Sequence, residues 1–137
     1  MQAPSPNSSN KFSRRLVNLD AEIIDAIPEM LPVFQRGFYY GDTLFESIRV
    51  FNGDMPFLQL HWHRLEKGLT LLGFEVPEHW NAVFFRAEIL KISPLNARVR
   101  LNVWRSPGGL YLPENNKPHI LITAQELETR TFAWPIP

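Results

Sequence analysis

The chain has 137 residues, of which 45% are hydrophobic and 12% aromatic, so it can form the core of one domain. Lys and Arg residues number 14, as do Asp and Glu residues, so no overall charge would attract a nucleic acid or an anionic membrane surface. There is no cysteine, which excludes disulfides and thiolate chemistry.

The first 13 residues are polar and rich in Pro, Ser and Asn, which predicts a disordered tail. They lack the apolar segment of a signal peptide, and no later apolar run approaches the ~20 residues of a membrane span. We therefore expect a soluble, cytoplasmic protein. From Leu16 to Leu31, apolar residues recur at helical spacing and predict a short helix that Pro28 breaks or restarts.

The segment from Gln35 to Asp42 contains two glycines around three aromatic residues, which predicts a turn that leads into a strand. That strand is expected from Thr43 to Phe51. The next dipeptide, Asn52-Gly53, is typical of a hairpin turn, so residues 55–58 are expected to return antiparallel to the strand.

Apolar residues at three- and four-residue steps predict a helix from Gln59 to Leu72, with Gly73 as a left-handed cap. A second helical period begins near Pro77 and ends at Ser93-Pro94. Residues 97–105 alternate strictly between apolar and polar, and residues 119–124 form a strand that pairs back to them. The order predicts an α+β fold in which antiparallel hairpins form a sheet packed against two main helices.

These elements place one small domain at residues 14–125, followed by residues 126–137. The last segment carries Phe132, Trp134 and Ile136 between prolines, which fits an interdomain linker with a missing partner domain. A terminal arm folded on its own domain is an equally supported alternative.

Four side chains share the polar face of the strand at residues 97–105, namely Arg98, Arg100, Asn102 and Trp104. Two arginines beside an amide and an indole could clamp a carboxylate, although a solvated strand face is the more ordinary interpretation. On the helix predicted from Gln59 to Leu72, Arg64 could present its guanidinium to a phosphate or could be a surface cation near Glu66.

Other candidate sites are weaker. His61 and His63 diverge by about 200° on a helix, so a shared metal is rejected. Glu46 lies among apolar strand neighbours, which favours a buried hydrogen-bond acceptor over an acid or base with a raised pKa. No spacing of Ser, His and Asp indicates a hydrolase.

Three runs, RGFYYGDTLFESIRVFNG, LHWHRLEKGLTLLGFEVPE and ARVRLNVWRSPGGLYLP, occur in an order that resembles the class IV aminotransferases. This family uses pyridoxal phosphate and includes branched-chain and D-amino-acid aminotransferases and aminodeoxychorismate lyase. The resemblance spans about residues 35–122 and implies the small N-terminal domain of such an enzyme, which as a whole is expected to be a homodimer.

The resemblance also implies roles for individual residues. Arg64, in the H-x-x-R-L context that begins at His61, matches the arginine that binds the cofactor phosphate. Tyr40 and Phe45 match aromatic residues of the substrate pocket. Arg100 falls near a substrate-carboxylate position, and a slip of one strand period would give Arg98 that role.

The lysine that holds the cofactor lies in the C-terminal domain of the family. The lysines of this sequence, Lys11, Lys67, Lys91 and Lys117, have no matching context, so we expect no catalytic residue here and an inactive chain on its own. Two hypotheses follow: a fragment of a pyridoxal-phosphate-dependent transaminase or lyase, or a non-catalytic module for dimerisation or two-chain assembly. The helix predicted from Leu16 to Leu31 departs from the family, because many relatives have a strand hairpin at this position.

Overall fold

Five antiparallel strands form a single sheet in the order β2-β1-β5-β4-β3. The computed structural model describes residues 16–25 and 36–128, with the side chain of Phe38 excluded. The strands are β1 (Leu16–Leu19), β2 (Glu22–Asp25), β3 (Thr43–Val50), β4 (Ala97–Arg105) and β5 (Pro118–Glu126). The helices are α1 (Arg36–Tyr40), α2 (Leu58–Leu71) and α3 (Ala82–Leu90). The predicted α+β architecture is confirmed.

The hydrophobic core lies between one face of the sheet and the helices α2 and α3. Alternate residues of β4 point into it, as the strict alternation of that strand predicts. Its main members are Ile48, Val50, Val99, Leu101 and Val103 from the strands and Trp62, Leu65, Leu69, Phe85 and Ile89 from the helices. Neither α2 nor α3 covers the opposite face of the sheet, which we call the open face. The short helix α1 lies at one end of it, where a Cβ atom built at Gly37 would be 3.2 Å from Cβ of Trp104.

Local signals set the helix ends. After α2, Gly73 has φ of 74°, the left-handed conformation expected of a glycine cap. The side chain of Asn81 caps α3 by accepting from the backbone N–H of Phe84 at 2.8 Å. The second helix therefore begins at Ala82 and not in the turn near Pro77. Within the described residues, no helix combines the length and the apolar character needed to cross a bilayer.

The helix predicted from Leu16 to Leu31 is wrong for residues 16–25, which form the β1–β2 hairpin, while residues 26–31 lie outside the described part. Asp20 and Ala21 make its turn with φ of 49° and 68°. The backbone N–H of Asp20 donates to the carbonyl of Ile120 at 2.9 Å, which fixes the hairpin to β5. Pairing with a strand about 100 residues away thus overrides the local helical spacing. The expected departure from the family at this point is therefore absent.

Two further local predictions need correction. The segment from Gln35 to Asp42 contains the helical turn α1 where a simple turn was expected. At Asn52-Gly53 the turn is present, but it closes only a single bridge between Phe51 and Asp54. No strand follows at residues 55–58, because α2 begins at Leu58 and β3 pairs with β4 instead.

The predicted tail at residues 1–13 and residues 129–137 of the predicted linker lie outside the described residues. Glu126, at the start of the expected linker, is the last residue of β5. Beyond it, the backbone N–H of Leu127 donates to the carbonyl of Asn96 at 3.0 Å, so this junction is held to the start of β4.

Replacing Leu69, which is fully buried, should destabilise the fold strongly. We expect Leu69→Ala to lower the free energy of unfolding by about 2 to 5 kcal/mol, because the substitution leaves a cavity in the hydrophobic core. Leu71→Ala on the same helix is the matched control, since Leu71 is 77% exposed and should change stability by less than about 0.5 kcal/mol. Urea denaturation followed by circular dichroism measures both, and equal losses would contradict this assignment of the core.

Candidate functional site

The open face presents the side chains that were singled out in the alternating strand. Antiparallel pairing sets Arg100 opposite Ser47 and Asn102 opposite Phe45, so β3 and β4 supply one continuous surface. β5 extends this surface with Thr123 opposite Arg100 and Gln125 opposite Arg98.

Arg100 is oriented by its neighbours on this face. The Cζ atom of Arg100 lies 4.0 Å from the centre of the Phe45 ring, a cation–π contact. Its Nε atom donates to Oδ1 of Asn102 at 3.3 Å. The structure therefore brings together Phe45 and Arg100, two of the residues predicted to contact a substrate.

Arg98 is held differently, although it shares the face. Its Nη2 atom donates to Oε1 of Gln125 at 2.8 Å, which draws the side chain toward β5 and away from β3. Arg98 and Arg100 are two residues apart on one strand, a separation of about 6.6 Å between Cα atoms. Arg100 is thus the arginine placed against Phe45.

Arg64 lies on the other side of the sheet, where α2 packs against β3. Its Nε atom donates to Oε1 of Glu46 at 2.8 Å, and its Nη2 atom donates to Oε2 at 2.5 Å. The Nδ1 atom of His61 lies 2.7 Å from the same Oε2. We call Glu46, His61 and Arg64 the carboxylate clamp.

Exposure within the carboxylate clamp is uneven. The side chain of Glu46 is 4% exposed, while that of Arg64 is 72% exposed. The carboxylate therefore fixes one edge of the guanidinium, and the rest of the guanidinium faces solvent with further N–H groups that can donate. This leaves Arg64 oriented but accessible, as an anion-binding group requires.

Glu46 is charged in the folded chain. Burial alone would raise the pKa of the Glu46 carboxyl, but hydrogen bonds from Arg64 and His61 outweigh this and hold the pKa below its ordinary value of 4.5. The same pairing raises the pKa of Arg64. Glu46 is thus the buried acceptor that its apolar neighbours predicted, and it lacks the raised pKa of a neutral acid.

The sequence did not reveal the carboxylate clamp as one unit. Glu46 and Arg64 were each singled out, but Glu66 was the partner considered for Arg64, because it is near in sequence. The actual partner is 18 residues away on β3. The spacing of His61 and Arg64 on one stripe of α2 was the available signal, and it needed the packing of α2 on β3 to become informative.

Tyr40 occupies a third position, at the end of the sheet in α1. It is 55% exposed, and the Cζ atom of Arg36 lies 5.0 Å from the centre of its ring. Arg36 is buried and also donates from Nη1 to the carbonyls of Gly108 and Gly109, each at 3.0 Å. Tyr40 thus stands beside the loop between β4 and β5.

One family profile, described as amino-transferase class IV, matches residues 43–136. The aminodeoxychorismate lyase of Bacillus subtilis is 32% identical over 126 residues, which cover 85% of this chain and 42% of that protein. The aminodeoxychorismate lyase of Vibrio harveyi is 27% identical over 114 residues, which cover 81% of this chain and 42% of that protein.

Solved structures give the same picture. The 4-amino-4-deoxychorismate lyase of Pseudomonas aeruginosa matches with a TM-score of 0.64 and 26% identity, covering 81% of this chain and 40% of that one. A branched-chain aminotransferase from Thermoproteus uzoniensis shares the fold with a TM-score of 0.69 at 20% identity, covering 82% of this chain and 40% of that one. The chain spans about two fifths of the length of the relatives that it matches.

The carboxylate clamp should make the stability of the folded chain depend on pH. Because the Glu46 pKa is lower in the folded chain than in the unfolded chain, its contribution to stability is present above about 4.5 and is lost as the pH falls through the lowered folded value. We expect Glu46→Gln to destabilise the chain by roughly 1 to 3 kcal/mol at neutral pH.

That loss should shrink as the pH is lowered, which urea denaturation at a series of pH values can measure. Glu66→Gln, an exposed position on α2, is the matched control for removing one negative charge. A difference between wild type and Glu46→Gln that stays constant from neutral to acid pH would refute the role assigned to the carboxylate clamp.

Proposed function

The chain belongs to the class IV aminotransferase family, and on that premise we propose that it is the small domain of a pyridoxal-phosphate-dependent enzyme. The complete enzyme would move an amino group between an amino acid and a 2-oxo acid, or eliminate pyruvate from aminodeoxychorismate. When bound, the cofactor supplies the electron sink for either reaction. The residues of this chain bind and orient the ligands, and the cytoplasm is the proposed location.

The observation that carries this proposal is the fixed and exposed guanidinium of Arg64. A free arginine carries about 2 kcal/mol of rotamer entropy, part of which is lost when it binds an anion. Glu46 has already restricted Arg64 through two hydrogen bonds, so binding a phosphate there sacrifices less of this freedom. This arrangement fits the cofactor phosphate.

Charge sets a limit on this binding. The carboxylate of Glu46 cancels much of the long-range field of Arg64, so a phosphate would be held by directed hydrogen bonds more than by general attraction. We therefore expect weak affinity when Arg64 acts without phosphate ligands from other residues of a complete enzyme. The proposed role of Arg64 is orientation as much as affinity.

The open face supports the second part of the proposal, a contact with the substrate carboxylate. Arg100 is the preferred residue, because Phe45 and Asn102 hold its guanidinium in place. Arg98 is the alternative, and its bond to Gln125 would have to open first. Phe45 and Tyr40 would line the substrate pocket, and both are more than half exposed.

Exposed aromatic residues also favour an assembly. Tyr39 and Phe45 are each 54% exposed, which is costly unless another surface covers them. A homodimer of the complete enzyme would provide such a surface. The second candidate function, a non-catalytic module for dimerisation or two-chain assembly, uses the same exposed residues.

Binding of pyridoxine 5′-phosphate tests the role of Arg64, because this analogue has the cofactor's phosphate but no aldehyde to react with lysines. We expect the chain to bind it more tightly than pyridoxine, as titrations followed by amide chemical shifts can show. Arg64→Gln should reduce this preference by about tenfold, because it removes one charge-assisted hydrogen bond to the phosphate.

Lys67→Gln is the matched control, since it removes an exposed cation one turn away on α2 and should leave the preference unchanged. If Arg64→Gln keeps the full preference for the phosphorylated ligand, Arg64 does not bind the cofactor phosphate. If neither ligand binds and the chain sediments as a stable oligomer, the assembly module becomes the better account.

A further inference from the structure

A serine, a histidine and an aspartate that are distant in the sequence meet in one hydrogen-bonded line. The Nε2 atom of His119 lies 2.6 Å from Oγ of Ser106, and its Nδ1 atom lies 2.8 Å from Oδ2 of Asp20. Ser106 follows β4, His119 is the second residue of β5, and Asp20 lies in the β1–β2 turn. Sequence spacing gave no sign of this group, which has no part in the proposed cofactor or substrate contacts.

The chemistry of the aspartate decides which nitrogen of the imidazole carries the proton. An ionised carboxylate only accepts hydrogen bonds, so Nδ1 of His119 must be the donor to Asp20. In the neutral ring Nε2 is then an acceptor, and the hydroxyl of Ser106 donates to it. This places a general base beside a serine hydroxyl in the arrangement that activates a nucleophile.

The backbone holds the aspartate in this position. Oδ1 of Asp20 accepts from the N–H of Ile120 at 2.7 Å, while the N–H of Asp20 donates to the carbonyl of the same residue at 2.9 Å. The ring of Trp104 stacks against that of His119 with centroids 5.7 Å apart. Both the base and the group that orients it are therefore fixed by the sheet, yet the side chain of His119 is 35% exposed and accessible to a reactant.

We propose that Ser106, with His119 as base and Asp20 as its positioning residue, is a nucleophilic site that accepts acyl groups from activated esters. Oγ of Ser106 attacks the carbonyl carbon, and its proton passes to Nε2 of His119. The bond from the carbonyl carbon to the leaving alcohol breaks, and the alcohol takes that proton. The products are an acyl-serine and an alcohol.

The loop after Ser106 limits the substrate class. The backbone N–H of Gly109 donates to Oε1 of Glu114 at 3.2 Å, so it is not available to an oxyanion beside Ser106. Absence of one such donor costs a factor of about 10² to 10³ in rate. The site therefore takes esters with good leaving groups, and not amides.

A fluorophosphonate probe tests the proposal on the unmodified chain. Oγ of Ser106 would form a bond to phosphorus, the phosphorus–fluorine bond would break, and fluoride would leave while His119 takes the hydroxyl proton. Peptide mass mapping over time gives the labelling rate of each serine. We expect Ser106 to react about 100-fold faster than the exposed Ser47 on β3, the lower range of general-base assistance.

Two variants separate activation from simple exposure. His119→Gln removes the base and leaves both backbone bonds of Asp20 in place, so labelling of Ser106 should fall to the rate of Ser47. Asp20→Asn should do the same, because an amide N–H facing Nδ1 would move the ring proton to Nε2. Circular dichroism spectra of both variants would be compared with that of the wild-type chain to check that the variants are folded.

His79→Gln, a substitution of an exposed histidine beside α3, is the matched control and should label like wild type. Ser106 reacting no faster than Ser47 in the wild-type chain would overturn the proposal. So would equal labelling of Ser106 in wild type and in folded His119→Gln.

Discussion

One buried carboxylate, that of Glu46, dictates how α2 lies on the sheet. An unpaired charge at 4% exposure on the core face of β3 would cost several kcal/mol, so its partners must come from the element that covers it. α2 supplies both His61 and Arg64 from one stripe, beside the leucines that enter the core. The hydrophobic stripe alone would allow α2 to slide or rotate slightly, whereas the two hydrogen bonds from Arg64 fix one position.

Close approach of α2 to β3 makes those short bonds possible. A Cβ atom built at Gly68 would lie 3.0 Å from Cδ1 of Leu44, so a larger residue would require the tip of the Leu44 side chain to shift by a few tenths of an ångström. Gly68 therefore leaves room for Leu44 between helix and strand, and Glu46 sets their alignment. The orientation of Arg64, on which the proposed phosphate contact depends, is a consequence of that alignment.

How far the sequence predicts the structure depends on the separation of the interacting residues. The period of α2 and the alternation of β4 are local patterns, and both elements form where they were expected. The β1–β2 hairpin was missed because β5 decides it from about 100 positions away. Sequence separation also decides which parts of the candidate sites could be predicted. Arg100 was found from the alternation of its strand and Phe45 from the family resemblance, but the pairing of Asp20 with His119 joins residues 99 apart and has no local signature.

Phe45 and Glu46 are consecutive residues, so their side chains lie on opposite faces of β3. The first holds Arg100 on the open face, and the second holds Arg64 of α2 on the helix side of the sheet. The two arginines proposed to bind ligands are thus joined through a single strand, which is the edge strand of the sheet. A phosphate at Arg64 and a carboxylate at Arg100 can belong to one active site only if its ligands reach around that edge. The edge of β3 is therefore where the rest of a complete site would have to meet this domain, and a change that shifts β3 would disturb both contacts together.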